Sequence, residues 1–427
     1  MINLLYDINR KGLPPVPVTD DNTAPAASAA WPRSLYISLL AMITAASGVA
    51  AGWLISHIIP AIMSLLYNGQ LQPEANGVEN DELGIWIIFI PVAGALLLTW
   101  LGRYASPFLQ ASGLAVAIGA GAPMGAESPA MIFTGALGNW LGKIFRCSPA
   151  ECYILLVAGI TSTLGGIFGA PVAAIFLAIE IFFSAYTLAG LLPVICAAVI
   201  AGTGSYLIRG TNPLYSMDPV PGVNGNAILA YLAVGLLIGL WARLFTKLFR
   251  VVEKWFGKLT MKSRWYLLLS AILVGGCSYV STKVPGTGSY YINDLLHAHV
   301  TLAILFGLAI MKLLAWLFFS GAYKTGTGIT PLLIAGGAGS LLLGVLIQLL
   351  FPSLIVHTGI LVLAGMGAML AGTSRAVLTA VVLSLELTHD IHTALPVAGA
   401  CIMAYSISSL RIKKRKATKY LAPVPEL

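Results

Sequence analysis

The chain has 427 residues, of which 58% are hydrophobic and 9% charged, with a mean hydropathy of +0.88. Soluble domains carry roughly 25% charged residues, so a water-soluble enzyme or binding module is excluded and a polytopic membrane protein is expected. The formal charge of +8 is unevenly placed: Arg411, Lys413, Lys414, Arg415, Lys416 and Lys419 follow the last apolar segment. By the positive-inside rule they put the C-terminus in the cytoplasm. Beside a membrane span they mark orientation rather than a nucleic-acid surface.

In chain order, residues 1–33 form a polar, proline-rich arm with Asp7, Arg10, Lys11, Asp20 and Asp21. It has no apolar core of signal-peptide type, and its basic residues place it in the cytoplasm as well. Apolar runs of spanning length, about 17–25 residues, then recur from residue 35 to residue 410, and several are broken or short. The first covers 35–66, a polar stretch with Glu74, Glu79, Asp81 and Glu82 follows, and the next covers 84–104.

Residues 119–142 read GAGAPMGAESPAMIFTGALGNWLG. One carboxylate, Glu127, stands among glycine, alanine, proline and long apolar side chains, a setting that packing alone does not explain. Proline is tolerated in a first helical turn, so the Ser128-Pro129 pair predicts a helix from about Ser128, with Glu127 in the turn before it. A helix start presents unpaired N–H groups and partial positive charge, which attract anions. Broken helices of this kind build ion sites near the bilayer midplane. Simple capping at the headgroup level is the alternative for Glu127.

Beyond this stretch, runs at 154–168 and 172–183 flank a second break, Gly169-Ala170-Pro171, and the later run ends near Glu180. After a span at 187–208, residues 209–226 read as the linker between a first half, 34–208, and a second half, 227–410. The second half holds runs at 228–255, 265–280 and 300–319, with a glycine loop, PGTGS, at 285–289. Residues 321–344, GAYKTGTGITPLLIAGGAGSLLLG, repeat the earlier pattern: with Pro331 set on Pro129, Ile334, Gly337, Ala338, Leu343 and Gly344 match Ile132, Gly135, Ala136, Leu141 and Gly142. A shift of 206 residues pairs Ala158, Gly159, Leu164, Gly166, Ala170, Ala174 and Leu177 with Ala364, Gly365, Leu370, Gly372, Ala376, Ala380 and Leu383. The same shift sets Glu180 on Glu386. Two acidic residues in register inside apolar runs indicate an internal duplication, and duplicated broken helices point to a transport site at the repeat interface. No acidic cluster suits a cation, so an anion is the expected cargo.

Other chemistries find little support in the residues. The five cysteines stand singly without a CxxC, and THDIH at 388–392 falls short of a zinc ligand set, so neither a metal nor a cofactor is expected. Ser128 has no histidine beside it to act as a base, so the chain does not read as an enzyme. Lys312, Lys324 and Arg375 are candidates for positive potential along an anion path, with snorkelling or solvated loop positions as the alternative.

GAESP at 125–129 resembles the GREGP motif of the CLC chloride channels and chloride/proton exchangers, and FGAPVAAIFLAIE at 168–180 is similar to that family's NAPLAG segment. GTGITP at 326–331 looks like its GxFxP motif, and GMGAMLAGTSRAVLTAVVLSLELT at 365–388 is similar to its GMGA...RAPLT...LEMT run, the most specific of the four. The resemblance implies an all-α, CLC-like fold with two inverted repeat halves, whose broken helices meet at a central anion site, and a homodimer with one pore per subunit. Glu127 takes the place of the family's gating glutamate. Gly125, Ala126, Ser128, Gly328, Ile329 and Thr330 take the place of its anion cradle, with Tyr420 or Tyr405 as the site's tyrosine. Glu180 and Glu386 are proton-pathway candidates, with helix capping and inter-helix hydrogen bonding as the alternative. The family's serine loop is not found, Ser106 and Ser112 being its only substitutes, and Ile181 stands where proton-coupled members carry a second glutamate.

The expected function is transport of chloride or a similar small anion across a bacterial inner membrane, not tightly proton-coupled. Fluoride/proton or chloride/proton exchange is the alternative within the family. A membrane scaffold that has lost conduction is the alternative outside it.

Overall fold

A computed structural model describes residues 31–71, 81–104, 106–183, 187–220, 225–258, 263–324, 327–354 and 356–410. These residues are helical, with no strand among them. The first half comprises α1 (Trp31–Asn68), α2 (Phe89–Leu101), α3 (Pro107–Gly119), α4 (Glu127–Ile144), α5 (Pro149–Phe168), α6 (Pro171–Leu177) and α7 (Leu188–Arg209). The second comprises α8 (Gly225–Lys258), α9 (Ser263–Val280), α10 (Tyr291–Leu296), α11 (Leu302–Phe306), α12 (Lys312–Tyr323), α13 (Ile329–Leu350), α14 (Thr358–Ser374), α15 (Val377–Thr388) and α16 (Ala394–Ser409).

Eight helices among the described residues are long and apolar enough to cross a membrane, and five shorter apolar ones accompany them. The outside is apolar as well: Leu207 is 76% exposed, Leu349 73% and Ile391 71%. Lipid is the solvent that makes such a surface stable, because apolar patches of this extent are not left in contact with water. The chain is an integral, multi-pass membrane protein.

The breaks come from residues that cannot continue a helix. Gly169 ends α5 in the left-handed region at φ 68°, and Pro171 starts α6 where its missing N–H costs nothing. α4 begins one residue earlier than expected: the Ser128 N–H already donates to the Gly125 carbonyl at 3.1 Å, so Glu127 is its first helical residue. The run expected at 300–319 extends from Leu302 to Tyr323 and is divided by a π turn at Gly307–Met311.

The two halves repeat their packing. α4 lies on α5, α1 on α7 and α5 on α7; correspondingly, α13 lies on α14, α8 on α16 and α14 on α16. One close approach is duplicated to the residue. A side-chain carbon on Gly159 would strike the Thr134 carbonyl, and one on Gly365 would strike the Gly336 carbonyl. Backbones this close leave room only for glycine, and membrane helices gain their association from such contact.

Gly365→Val should therefore lower the thermal stability of the purified protein by about 1–3 kcal/mol, or prevent its recovery in folded form. Gly276→Ala, whose added carbon meets nothing within 4 Å, should be neutral. Equal melting temperatures for the two variants would contradict the packing described.

Candidate functional site

The starts of α4 and α13 meet inside the protein, one from each half. Glu127, the first residue of α4, is 1% exposed, and its carboxylate crosses to the other half. Oε1 accepts the Thr330 backbone N–H at 3.0 Å, Oε2 accepts the Thr330 hydroxyl at 2.8 Å, and the Thr327 hydroxyl stands 3.4 Å from Oε1. Among the described residues no cationic nitrogen lies within 4 Å of this carboxylate. Its charge is held instead by hydrogen bonds, each about 1.5–3 kcal/mol when one partner is ionised, and by the positive end of α13. That offsets a burial penalty of several kcal/mol without fixing the group as an ion pair would.

Gly125 makes the approach possible, because a side-chain carbon there would overlap the Glu127 carboxylate. A second stitch joins the halves beside it. The Thr327 N–H donates to Ser128 Oγ at 3.0 Å, and the Ser128 hydroxyl reaches the Thr327 carbonyl at 2.9 Å. Ser128 is thereby engaged with protein. Ala126 caps α4 without a side-chain bond, Gly328 caps α13, and Ile329 is 1% exposed beside Thr330.

Glu127 lines a cavity of about 470 Å³. Ala126, Thr330, Tyr215, Thr287, Ser289, Arg209 and His57 also line it, and the lining reaches the exposed side chains of Trp53 and Ile208. Among the described residues, Glu127 is the only carboxylate in that lining. Arg209, the last residue of α7, donates to the Ile167 carbonyl at 2.7 Å, to the Gly166 carbonyl at 3.0 Å and to Ser205 Oγ. The guanidinium thus sits on the carbonyl end of α5, where a cation is favoured.

The remaining sequence candidates fall elsewhere. Tyr420 lies outside the described residues, and Tyr405, Ser106 and Ser112 do not line the cavity. Arg375 is exposed in the αL residue after α14, and Lys324 takes the same conformation after α12. Lys312 neither snorkels nor faces the cavity. It is fully buried, and its ammonium donates to the Val284 and Gly286 carbonyls at 2.9 and 3.0 Å, fixing the PGTGS loop.

Glu180 and Glu386 form a reciprocal clasp. Glu386 accepts the Val172 and Ala173 N–H groups at the start of α6, at 2.9 and 2.8 Å. Glu180 accepts the Leu378 and Thr379 N–H groups at the start of α15, at 2.9 and 2.8 Å, with the Thr379 hydroxyl at 2.7 Å. The 206-residue shift carries both glutamates and all four backbone donors of one half onto the other; the Thr379 hydroxyl has no counterpart at Ala173. Each glutamate neutralises the helix start of the opposite half.

Sequence reasoning missed Arg209, Tyr215 and Thr287 as cavity residues. Arg209 carried the one available signal, an isolated charge at the end of an apolar run.

These features define a class: an all-helical membrane protein whose duplicated halves aim broken helices at one buried carboxylate. Residues 92–409 match the family described as voltage gated chloride channel, and the chain belongs to that family. The chain is 30% identical over 300 residues to the H(+)/Cl(-) exchange transporter ClcA of Vibrio cholerae, covering 67% of this chain and 64% of that protein. It is 28% identical over 292 residues to a putative chloride channel protein, ClcB-like, of Ralstonia nicotianae, covering 67% and 68%. The fold resembles a slow cyanobacterial Cl-/H+ antiporter, with TM-score 0.74 and 22% identity over 88% of this chain and 94% of that one. It also resembles a CLC-type fluoride/proton antiporter, with TM-score 0.68 and 19% identity over 88% and 96%.

Replacing either clasp glutamate with alanine should lower thermal stability by about 1–3 kcal/mol, because paired N–H groups lose their acceptors. The two losses should be similar, with glutamine variants in between. Unchanged melting for both would overturn the structural role.

Proposed function

We propose that the chain moves chloride or a similar small anion across the membrane through a pore in each subunit, gated by Glu127. The observation that carries this is the Glu127 carboxylate accepting the Thr330 N–H at the start of α13. A carboxylate held there without a cation stands where a chloride would stand, because a helix start binds any small anion by the same N–H groups and partial charge. Ionised, it blocks the site; protonated, it no longer needs the position and an anion replaces it. Gly125, Ala126, Gly328, Ile329 and Thr330 then supply the cradle.

Proton-coupled exchange is the second reading, favoured by the similarity to the H(+)/Cl(-) exchange transporter ClcA and the two antiporters. In either case a proton must reach Glu127. Glu180 and Glu386 serve it poorly as carriers, because both are held by paired N–H donors. Both termini are proposed to lie in the cytoplasm of a bacterial inner membrane. A homodimer is proposed to cover the apolar faces of α7 and α16, which expose Leu188, Leu207, Leu395 and Ile402.

The test is anion efflux from liposomes containing the purified protein, wild type against Glu127→Gln, in chloride and in fluoride with external pH recorded. Wild-type efflux should rise as pH falls, because protonation removes the competing charge. Glu127→Gln should lose that dependence. Proton uptake in step with wild-type efflux would establish exchange; its absence would establish a channel. No efflux of either anion would contradict transport and leave a scaffold.

A further inference from the structure

α8 is longer than a membrane span. Its 34 residues make a rod of about 51 Å, against a hydrocarbon core of about 30 Å, so part of the helix lies at or beyond a headgroup layer. All five of its basic residues, Arg243, Lys247, Arg250, Lys254 and Lys258, fall in the C-terminal half. Their spacing, three or four residues each time, puts them on one face. Lys247, Arg250, Lys254 and Lys258 are exposed, and among the described residues no carboxylate lies within 4 Å of any of the five.

A second stripe of the same period runs beside the first. Leu240, Leu244, Leu248, Val251 and Trp255 are all exposed, Leu244 by 63% and Val251 by 60%. A third stripe, Ala242, Phe245, Val252 and Phe256, is buried against the protein. At about 100° per residue, the basic stripe falls next to the exposed apolar one and roughly opposite the buried one. Glu253, the one acid of the helix, falls opposite the exposed apolar stripe. Arg243 also donates to the Ile407 carbonyl at 3.4 Å, which sets this part of α8 beside the end of α16, where the sequence runs on into the basic residues 411–419.

The positive-inside rule asks for basic residues near the end of a span; it does not ask for them in register on one face. A face solvated by water would account for the charges but would leave Leu248, Val251 and Trp255 in water too. Free phosphate would meet the charges and leave the same apolar stripe uncovered. Acyl chains beside anionic headgroups match both stripes at once.

We infer that the C-terminal half of α8 is a docking face for anionic phospholipid, with Lys247, Arg250 and Lys254 on the headgroup phosphates and Leu248, Val251 and Trp255 against the acyl chains. This face is independent of what the Glu127 cavity carries.

Native mass spectrometry of the full-length protein in detergent, titrated with phosphatidylglycerol and separately with phosphatidylcholine, tests the face. The wild type should bind phosphatidylglycerol more tightly than phosphatidylcholine. Lys247→Gln/Arg250→Gln/Lys254→Gln should weaken phosphatidylglycerol binding about a hundredfold, the combined effect of three interfacial charges, and leave phosphatidylcholine binding and the melting temperature unchanged. Lys247→Arg/Lys254→Arg, which keeps the charges, should bind as the wild type does. Equal affinity of the wild type and the triple variant for phosphatidylglycerol overturns the face, and so does a wild type without preference between the two lipids. A loss of affinity confined to Lys413→Gln/Lys414→Gln/Arg415→Gln would put the lipid on the tail instead. Displacement of the bound lipid by glycerol phosphate, which has no acyl chains, would also contradict the assignment.

Discussion

The structure depends on one hydrogen-bonded crossing, from the Glu127 carboxylate to Thr330. A lone carboxylate inside a membrane protein is tolerated only where donors replace the water it has lost. Here the donors come from the opposite half, at the start of α13. The arrangement holds a charge by groups that any small anion would use equally well. An ion pair with lysine or arginine would have fixed the glutamate in place; N–H and hydroxyl donors leave it exchangeable. The glycine at 125 and the break before α13 follow from the need to bring this side chain and that helix start together.

The duplication explains why the same principle appears three times between the halves. Glu127 meets the start of α13, Glu180 the start of α15, and Glu386 the start of α6. Short and broken helices leave N–H groups unpaired in a lipid-surrounded interior, where each would cost several kcal/mol. The clasp glutamates resolve that cost reciprocally, with two N–H groups per carboxylate. Glu127 takes a single N–H and two hydroxyls, and it faces a cavity. On the function proposed above, that difference separates a structural cap from the gate.

Much of this was legible in the sequence, because its causes are local. Composition set the membrane class, proline and glycine marked the breaks, and the 206-residue register of Glu180 and Glu386 exposed the repeat. What each carboxylate touches was not legible: both clasp partners lie across the duplication. Ser128 looked like an anion ligand and is tied to Thr327. Arg209 and Tyr215 sit where a helix end gives way to the linker, and Thr287 sits in a glycine loop. Only the folding of both halves around one cavity brings them to Glu127. Of the two tyrosines the family motif suggested, Tyr420 lies outside the described residues and Tyr405 does not line the cavity; among the described residues the lining tyrosine is Tyr215.

The central claim is that the Glu127 carboxylate and a transported anion compete for one place. Isothermal titration of the purified protein with chloride, wild type against Glu127→Ala from acid to alkaline pH, measures that competition. The account predicts that at neutral pH the variant binds one more chloride per subunit than the wild type does. The difference should disappear as the wild-type carboxylate is protonated. The same number of bound ions in both proteins at every pH would contradict it.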